Sequence, residues 1–296
     1  MNDTRVLWKE PQRMTRTALT IVIFVGLLIA TFCLEVRAAN ESWLHNGVTA
    51  HRGNSSEFPE CTLPAFRSGI ELGADWLELD VYRSSDGQVV VIHDRDTRRV
   101  AESNLKVADS TCDQLKALDV AYQFRKAKKL SLEQCPKATI PRLADVLRLV
   151  MKQNKTRVSI QPKMDCVADV VRVVEQLKAQ RWVGFNDGSL PFMTQAAKLL
   201  PTAPVFWDRY RSNIDSDIRI AKQRGFYGIV MHEGDVTKEK IEKIQSAGLE
   251  SGAWTVNDTG VMRRFLGMGI GRIYTDRPAE LLNIKADTQS TRAKGN

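Results

Sequence analysis

Eight short apolar runs, spaced by amphipathic stretches, constrain this chain more than any other feature. They are Gly47 to His51, Trp76 to Val81, Arg157 to Gln161, Trp182 to Phe185, Pro204 to Asp208, Gly228 to His232, Ser251 to Val256 and Arg272 to Thr275. Helical periodicity fills most of the gaps: Leu63 to Leu72, Cys166 to Gln180, Leu190 to Leu200, Asp215 to Arg224, Thr237 to Ala247 and Thr259 to Leu266, with Gly closing several of them before the next run. Strands that alternate with helices build a parallel sheet, and eight such repeats argue for closure into a (β/α)8 TIM barrel. A doubly wound open sheet is the competing α/β arrangement.

One interval breaks the rhythm. After Val81 the chain runs through Asp86-Gly87 into Val89-Val90-Val91-Ile92-His93-Asp94, two extended segments about an Asp-Gly turn. That is a hairpin signal, and a hairpin cannot supply a parallel neighbour. Val89 to Asp94 is therefore expected as an arm off the second strand. The segment from about 95 to 140 is expected as an inserted cap, with short helices near Cys112 to Leu118. A helix over Ile140 to Val150 restores the barrel rhythm.

The first 38 residues read as targeting. Ala18 to Leu34 is an uncharged stretch of 17 residues preceded by Arg5, Lys9, Arg13 and Arg16, and Val36-Arg37-Ala38 supplies small residues at its end. It is either a cleaved export signal or an N-terminal membrane anchor; both send the remainder out of the cytoplasm, to a periplasmic or extracellular location. Residues 39–286 then hold the barrel, close to the roughly 250 residues typical of the fold. The polar stretch 287–296 is expected as a disordered tail.

The net charge of +8, from 43 basic and 35 acidic residues, is a mixed surface rather than a nucleic-acid arm. It leaves a membrane surface as one partner open and a small molecule as the other. The 39–296 part carries Cys61, Cys112, Cys135 and Cys166. In an oxidising compartment Cys112 with Cys135 is the preferred pair, and buried free thiols are the alternative. No zinc-spaced Cys/His cluster and no Gly-rich phosphate loop occurs.

Chemistry concentrates where the runs end. His51-Arg52-Gly53 closes the first run, Glu78 and Asp80 project to one side of the second, His93-Asp94 ends the arm and Gln161-Pro162-Lys163 ends the third barrel run. Two carboxylates on one face suit a hard divalent cation, Ca²⁺ or Mg²⁺. Two histidines, an arginine and a lysine beside them suit an acid–base pair acting on a phosphate.

His51-Arg52-Gly53, Glu78-Leu79-Asp80-Val81 and Asp86-Gly87 through His93-Asp94, together with Pro59-Glu60-x-Thr62-Leu63, Ile140-Pro141-x-Leu143, Trp254-Thr255-Val256-Asn257 and Thr275-Asp276-Arg277-Pro278, are seven ordered motifs between residues 47 and 284 that resemble the glycerophosphodiester phosphodiesterase family. The resemblance implies a TIM barrel, a divalent metal, and cleavage of glycerophosphodiesters to glycerol 3-phosphate and an alcohol. It implies His51 and His93 as general base and general acid, though their order is open from the residues themselves. It implies Glu78 and Asp80 as metal ligands, Arg52 and Lys163 as phosphate contacts, Glu60 as a metal neighbour or hydroxyl contact, and Trp254 as a wall beside the substrate.

Two departures stand out. Gln161 takes the place of a third metal carboxylate in a Glu-x-Lys strand end, keeping an oxygen and losing a charge. Cys61 replaces the Asn common after Glu60, and with Cys166 near the same mouth offers a rival disulfide. A lysophospholipase D-type or other phosphodiester hydrolase, and a non-catalytic phosphodiester-binding protein, are the alternative functions.

Overall fold

The structure is a computed structural model describing residues 47–294; the apolar stretch from Ala18 to Leu34, and with it the export or anchor expectation, lies outside the described residues. Among the described residues no helix is long and apolar enough to cross a membrane.

Nine strands form in chain order. They are β1 (Gly47–Ala50), β2 (Trp76–Arg83), β3 (Val89–Val91), β4 (Arg157–Pro162), β5 (Val183–Asp187), β6 (Val205–Arg209), β7 (Gly228–His232), β8 (Glu250–Trp254) and β9 (Arg272–Thr275). All but β3 pair in parallel, and β1 pairs with both β2 and β9, so the sheet closes into an eight-stranded TIM barrel. The open-sheet alternative is thereby excluded. The strands are apolar runs because each is covered on both faces, by the barrel interior and by the helical ring.

The helices are α1 (Leu63–Glu71), α2 (Cys112–Lys116), α3 (Tyr122–Lys128), α4 (Leu143–Val150), α5 (Val167–Gln176), α6 (Leu190–Leu199), α7 (Ile214–Arg224), α8 (Lys238–Ser246), α9 (Thr259–Gly267) and α10 (Pro278–Lys294). Side-chain caps start most of the ring helices: Thr62, Ser189, Asn213, Thr237 and Asp258 each accept a backbone N–H of the first turn. The tail differs from expectation. Helix α10 continues past Asp287 to Lys294, because Ala, Lys, Gln and Arg favour helix and no Gly or Pro intervenes before Gly295.

The insert is a small module on the hairpin arm, as the Asp-Gly turn foretells. β3 runs antiparallel to β2, Val81 opposite Val91. Val90, Ile92, Val107, Leu115, Val120 and Ile140 give the cap its own apolar core. A buried Asp119–Arg125 ion pair pins it, and Asp119 also accepts from the N–H groups of Ala121 and Ala138. The preferred Cys112–Cys135 bridge is not formed. Both thiols are free and buried in this core, where they pack as small apolar side chains, and Cys61 and Cys166 are free and buried too.

Candidate active site

Parallel closure brings the strand ends to one rim, and inward positions of neighbouring strands meet in register. Asp80 lies opposite Gln161 and Glu78 opposite Ser159 across β2 and β4, while His232 lies opposite Trp254 across β7 and β8. The rim encloses a cavity of about 520 Å³ whose lining includes His51, Arg52, Glu78, His93, Gln161, Lys163, Asp208 and Trp254. Glu60 stands behind Arg52, with its Oε1 3.2 Å from Arg52 Nη1.

The turn after β1 is built for close approach. Arg52 and Gly53 both take left-handed backbone, φ 56° and 83°. A Cβ at Gly53 would lie 2.7 Å from the Ala65 carbonyl carbon, so glycine is required. The turn aims the Arg52 N–H at Glu78 Oε2, 3.1 Å away. Cys61 is also left-handed, φ 56°, a conformation that Asn tolerates and Cys does not favour. Its thiol sits 3.8 Å from Asp80 Oδ2, and burial, then Asp80 and Glu60, push its pKa well above the usual thiol value. Cys61→Asn is accordingly expected to stabilise the protein by about 1 kcal/mol in chemical denaturation, by relieving backbone strain and giving Asp80 an amide donor. A loss of stability would show that this turn is set by packing rather than by its φ.

Each histidine is anchored by a carboxylate. His51 Nδ1 lies 2.7 Å from Asp276 Oδ1 and His93 Nδ1 lies 2.6 Å from Asp94 Oδ1. A carboxylate only accepts, so both rings carry a proton on Nδ1 and turn Nε2 to the cavity. The surroundings then separate them. Burial opposes charge on His51, but the bond to Asp276 and the proximity of Glu78 raise its pKa. For His93, burial together with Arg52 and Lys163 outweighs Asp80 and Asp94, and the pKa falls. Burial would likewise raise Asp276, yet bonds from His51, Asn257 and Ser55 hold it down at about 2.

The acidic floor is crowded. Glu78 is 2% and Asp80 1% exposed. Burial and then Asp80 push Glu78 up to about 7. Asp80 is bracketed by cations, Arg52 Nε 3.5 Å from Oδ2 and Lys163 Nζ 3.3 Å from Oδ1. Glu60 is not part of this pair of carboxylates: Arg99 grips both of its oxygens, at 2.6 and 2.7 Å, and with Arg52 keeps its pKa low despite burial. Gln161 joins Asp80 through Lys163, whose Nζ donates to Gln161 Oε1 at 3.0 Å. Among the described residues no group of three His, Cys, Asp or Glu is close enough to hold a metal, so Glu60, Glu78 and Asp80 are not gathered as one acidic cluster.

Four residues absent from the sequence-based site complete it. Asp276 and Asp94 orient the histidines. Asp208 accepts from Gln161 and Asn186 on Oδ2, while its buried Oδ1 has no hydrogen-bond partner among the described residues; burial, reinforced by Asp187 and Glu78, pushes it up to about 8. His232 packs edge-on to Trp254 at 5.3 Å and to Tyr210 at 4.9 Å, extending the wall outward. Asn257, an Asn-x-Thr position, is spent on Asp276 and Thr275 and is no place for a glycan.

The profile of the Glycerophosphoryl diester phosphodiesterase family matches residues 51–280. The chain belongs to this family. Among members of the family, a glycerophosphodiester phosphodiesterase of Caldanaerobacter subterraneus subsp. tengcongensis is 28% identical over 247 residues, covering 80% of this chain and 96% of its own. One from Bacillus altitudinis is 27% identical over 249 residues, covering 81% and 98%. The fold also superposes on an Oleispira antarctica phosphodiesterase solved with the product sn-glycerol-3-phosphate, with a TM-score of 0.70 at 22% identity over 82% of this chain and 97% of that one.

Proposed function

We propose that this chain hydrolyses glycerophosphodiesters to glycerol 3-phosphate and an alcohol, using His51 and His93 as its acid–base pair. The observation carrying the proposal is that two imidazoles, each fixed by a carboxylate at Nδ1, present Nε2 to one cavity that also holds Arg52 and Lys163. A phosphodiester gains negative charge on its oxygens as the bond to the leaving group breaks. Arg52 and Lys163 offset that charge while one imidazole takes a proton and the other gives one. Trp254 shields the reacting group from one side.

The donor chemistry of the floor fits a divalent cation, Ca²⁺ or Mg²⁺. Glu78, Asp80 and Gln161 Oε1 are hard oxygens, and the rise of Glu78 to about 7 marks a buried acid pair short of positive charge. Glu60 does not fit, since Arg99 occupies it. A cation bound there supplies further stabilisation of phosphoryl charge.

The test is release of glycerol 3-phosphate from glycerophosphocholine and related diesters by the full chain. Activity is expected to vanish in chelator and to return with Ca²⁺ or Mg²⁺. Binding without turnover would favour the non-catalytic reading that Gln161 motivates; undiminished activity in chelator would remove the cation. A second reading keeps the chemistry and changes the diester to a lysophospholipid. Its support is Tyr210, 51% exposed at the mouth and packed edge-on to His232, which packs in turn on Trp254, an aromatic edge for an alkyl chain. Faster turnover of lysolipids than of soluble diesters would favour it. Export, by signal or anchor, follows from the N-terminal stretch, and a membrane surface would then be the companion of the lysolipid reading.

A further inference from the structure

We propose that the Lys163 ammonium and a divalent cation draw on the same two oxygens, Asp80 Oδ1 and Gln161 Oε1, so that cation binding releases Lys163 toward the substrate phosphate. This rests on the reading of the site as cation-assisted.

Lys163 has three polar contacts: hydrogen bonds to Gln161 Oε1 at 3.0 Å and to His93 Nε2 at 3.4 Å, and an ion pair with Asp80 Oδ1 at 3.3 Å, an oxygen that has no hydrogen-bond partner among the described residues. Although it lines the cavity, its ammonium is thus engaged by the floor and the acid–base pair. The Gln161 amide cannot turn away from it. Gln161 Nε2 donates to Asp208 Oδ2 at 3.2 Å, and that bond fixes Oε1 on the lysine side.

Charge decides the consequence. Asp80 already answers to Arg52 through Oδ2, 3.5 Å away, which leaves Oδ1 as its only other anchor. With a carboxylate at position 161 the niche would carry one more negative charge, enough to seat a lysine and a cation together. With Gln161, Glu78 serves the cation alone while one carboxylate oxygen and one neutral amide oxygen must serve both, and the two positive charges compete for them.

The same displacement acts on His93. Its Nε2 accepts from Lys163, so its lone pair is occupied while the lysine is seated. Moving the ammonium away opens that lone pair for a proton and delivers a positive charge to the phosphate. Lys163 is therefore a positioning group for His93 in one state and a phosphate contact in the other.

Calorimetric titration of the full chain with Ca²⁺ and with Mg²⁺ tests this apart from turnover, in wild type, Lys163→Met, Gln161→Glu and the double variant. Lys163→Met is expected to bind cation about tenfold more tightly than wild type, and Gln161→Glu likewise. In the Gln161→Glu background, Lys163→Met is expected to add less than about threefold, because two carboxylates seat both cations. Thermal melting of each variant establishes that it is folded. Unchanged or weaker binding by Lys163→Met overturns the proposal. So does the full tenfold gain in both backgrounds, which is through-space repulsion rather than shared oxygens, and so does absence of cation binding by every variant. Glycerophosphodiester turnover, assayed alongside, separates the outcomes: chelator-sensitive wild-type activity with no competition removes this inference and leaves the function standing.

Discussion

His51→Ala and His93→Ala are each expected to lower turnover of a glycerophosphodiester by about 10²- to 10⁴-fold, the range spanned by single acid or base groups. Neither ring holds the barrel together. His51 is 16% and His93 28% exposed at the side chain, and each is bonded mainly to a carboxylate at the rim. Both variants should therefore melt near the wild-type temperature, which separates a chemical loss from unfolding. The double variant is expected to fall little below the worse single variant, because an acid and a base that move protons within one reaction act as a unit. Steady-state kinetics on all three proteins checks this. A His93→Ala enzyme within threefold of wild type would remove His93 from the chemistry, and a multiplicative double variant would place the two rings in separate steps.

The residues that sequence reading assigned are those whose signal is local. Glu78 and Asp80 share a face because side chains alternate along β2, and His51 and Gln161 stand out as polar ends of apolar runs. Eight such runs were enough to expect a closed barrel, and an Asp-Gly turn was enough to expect the arm. Asp276 sits in a recognisable motif, but its role is not local: its partner His51 lies 225 positions away and no local pattern reports that pairing. The tie from Lys163 to His93 spans 70 positions and was hidden for the same reason. Gln161 was legible as a missing charge, while its grip on Lys163 depended on Asp208 from β6 turning the amide. Helix α3 escaped notice because Ala121 starts it without a side-chain cap. The cysteines misled because even number and spacing say nothing of whether two buried thiols face each other.

Asp276→Asn is expected to rival loss of His51 itself, at about 10²- to 10⁴-fold in turnover, because it reverses the histidine's tautomer. Asp276 Oδ1 receives the proton on His51 Nδ1 at 2.7 Å and the Ser55 hydroxyl at 2.9 Å, while Oδ2 receives Asn257 Nδ2 at 2.6 Å. An amide can satisfy only one side. Asn257 is held in orientation by its own Oδ1, which accepts from the Asp276 N–H and the Thr275 hydroxyl, so its Nδ2 demands an oxygen opposite. The new amide must give its oxygen to Asn257 and its NH₂ to His51. Nδ1 then becomes an acceptor, the proton moves to Nε2, and the nitrogen facing the cavity is in the wrong state. Nitrogen NMR of the His51 ring should report the tautomer directly, and Asp276→Ala should be less damaging than Asp276→Asn, since it removes the partner without imposing the opposite one. The stability difference should be pH-dependent with a definite sign. The Asp276 carboxyl is lowered from 3.8 to about 2, so its contribution is present above pH 4 and lost as pH falls through about 2. It amounts to at most about 2 kcal/mol, less for solvent screening of a carboxylate that is 33% exposed. Denaturation of wild type and Asp276→Asn should thus diverge at pH 5 and draw together as pH falls below about 2; a gap undiminished between about pH 5 and about pH 1 would assign the loss to packing instead of to the carboxylate charge.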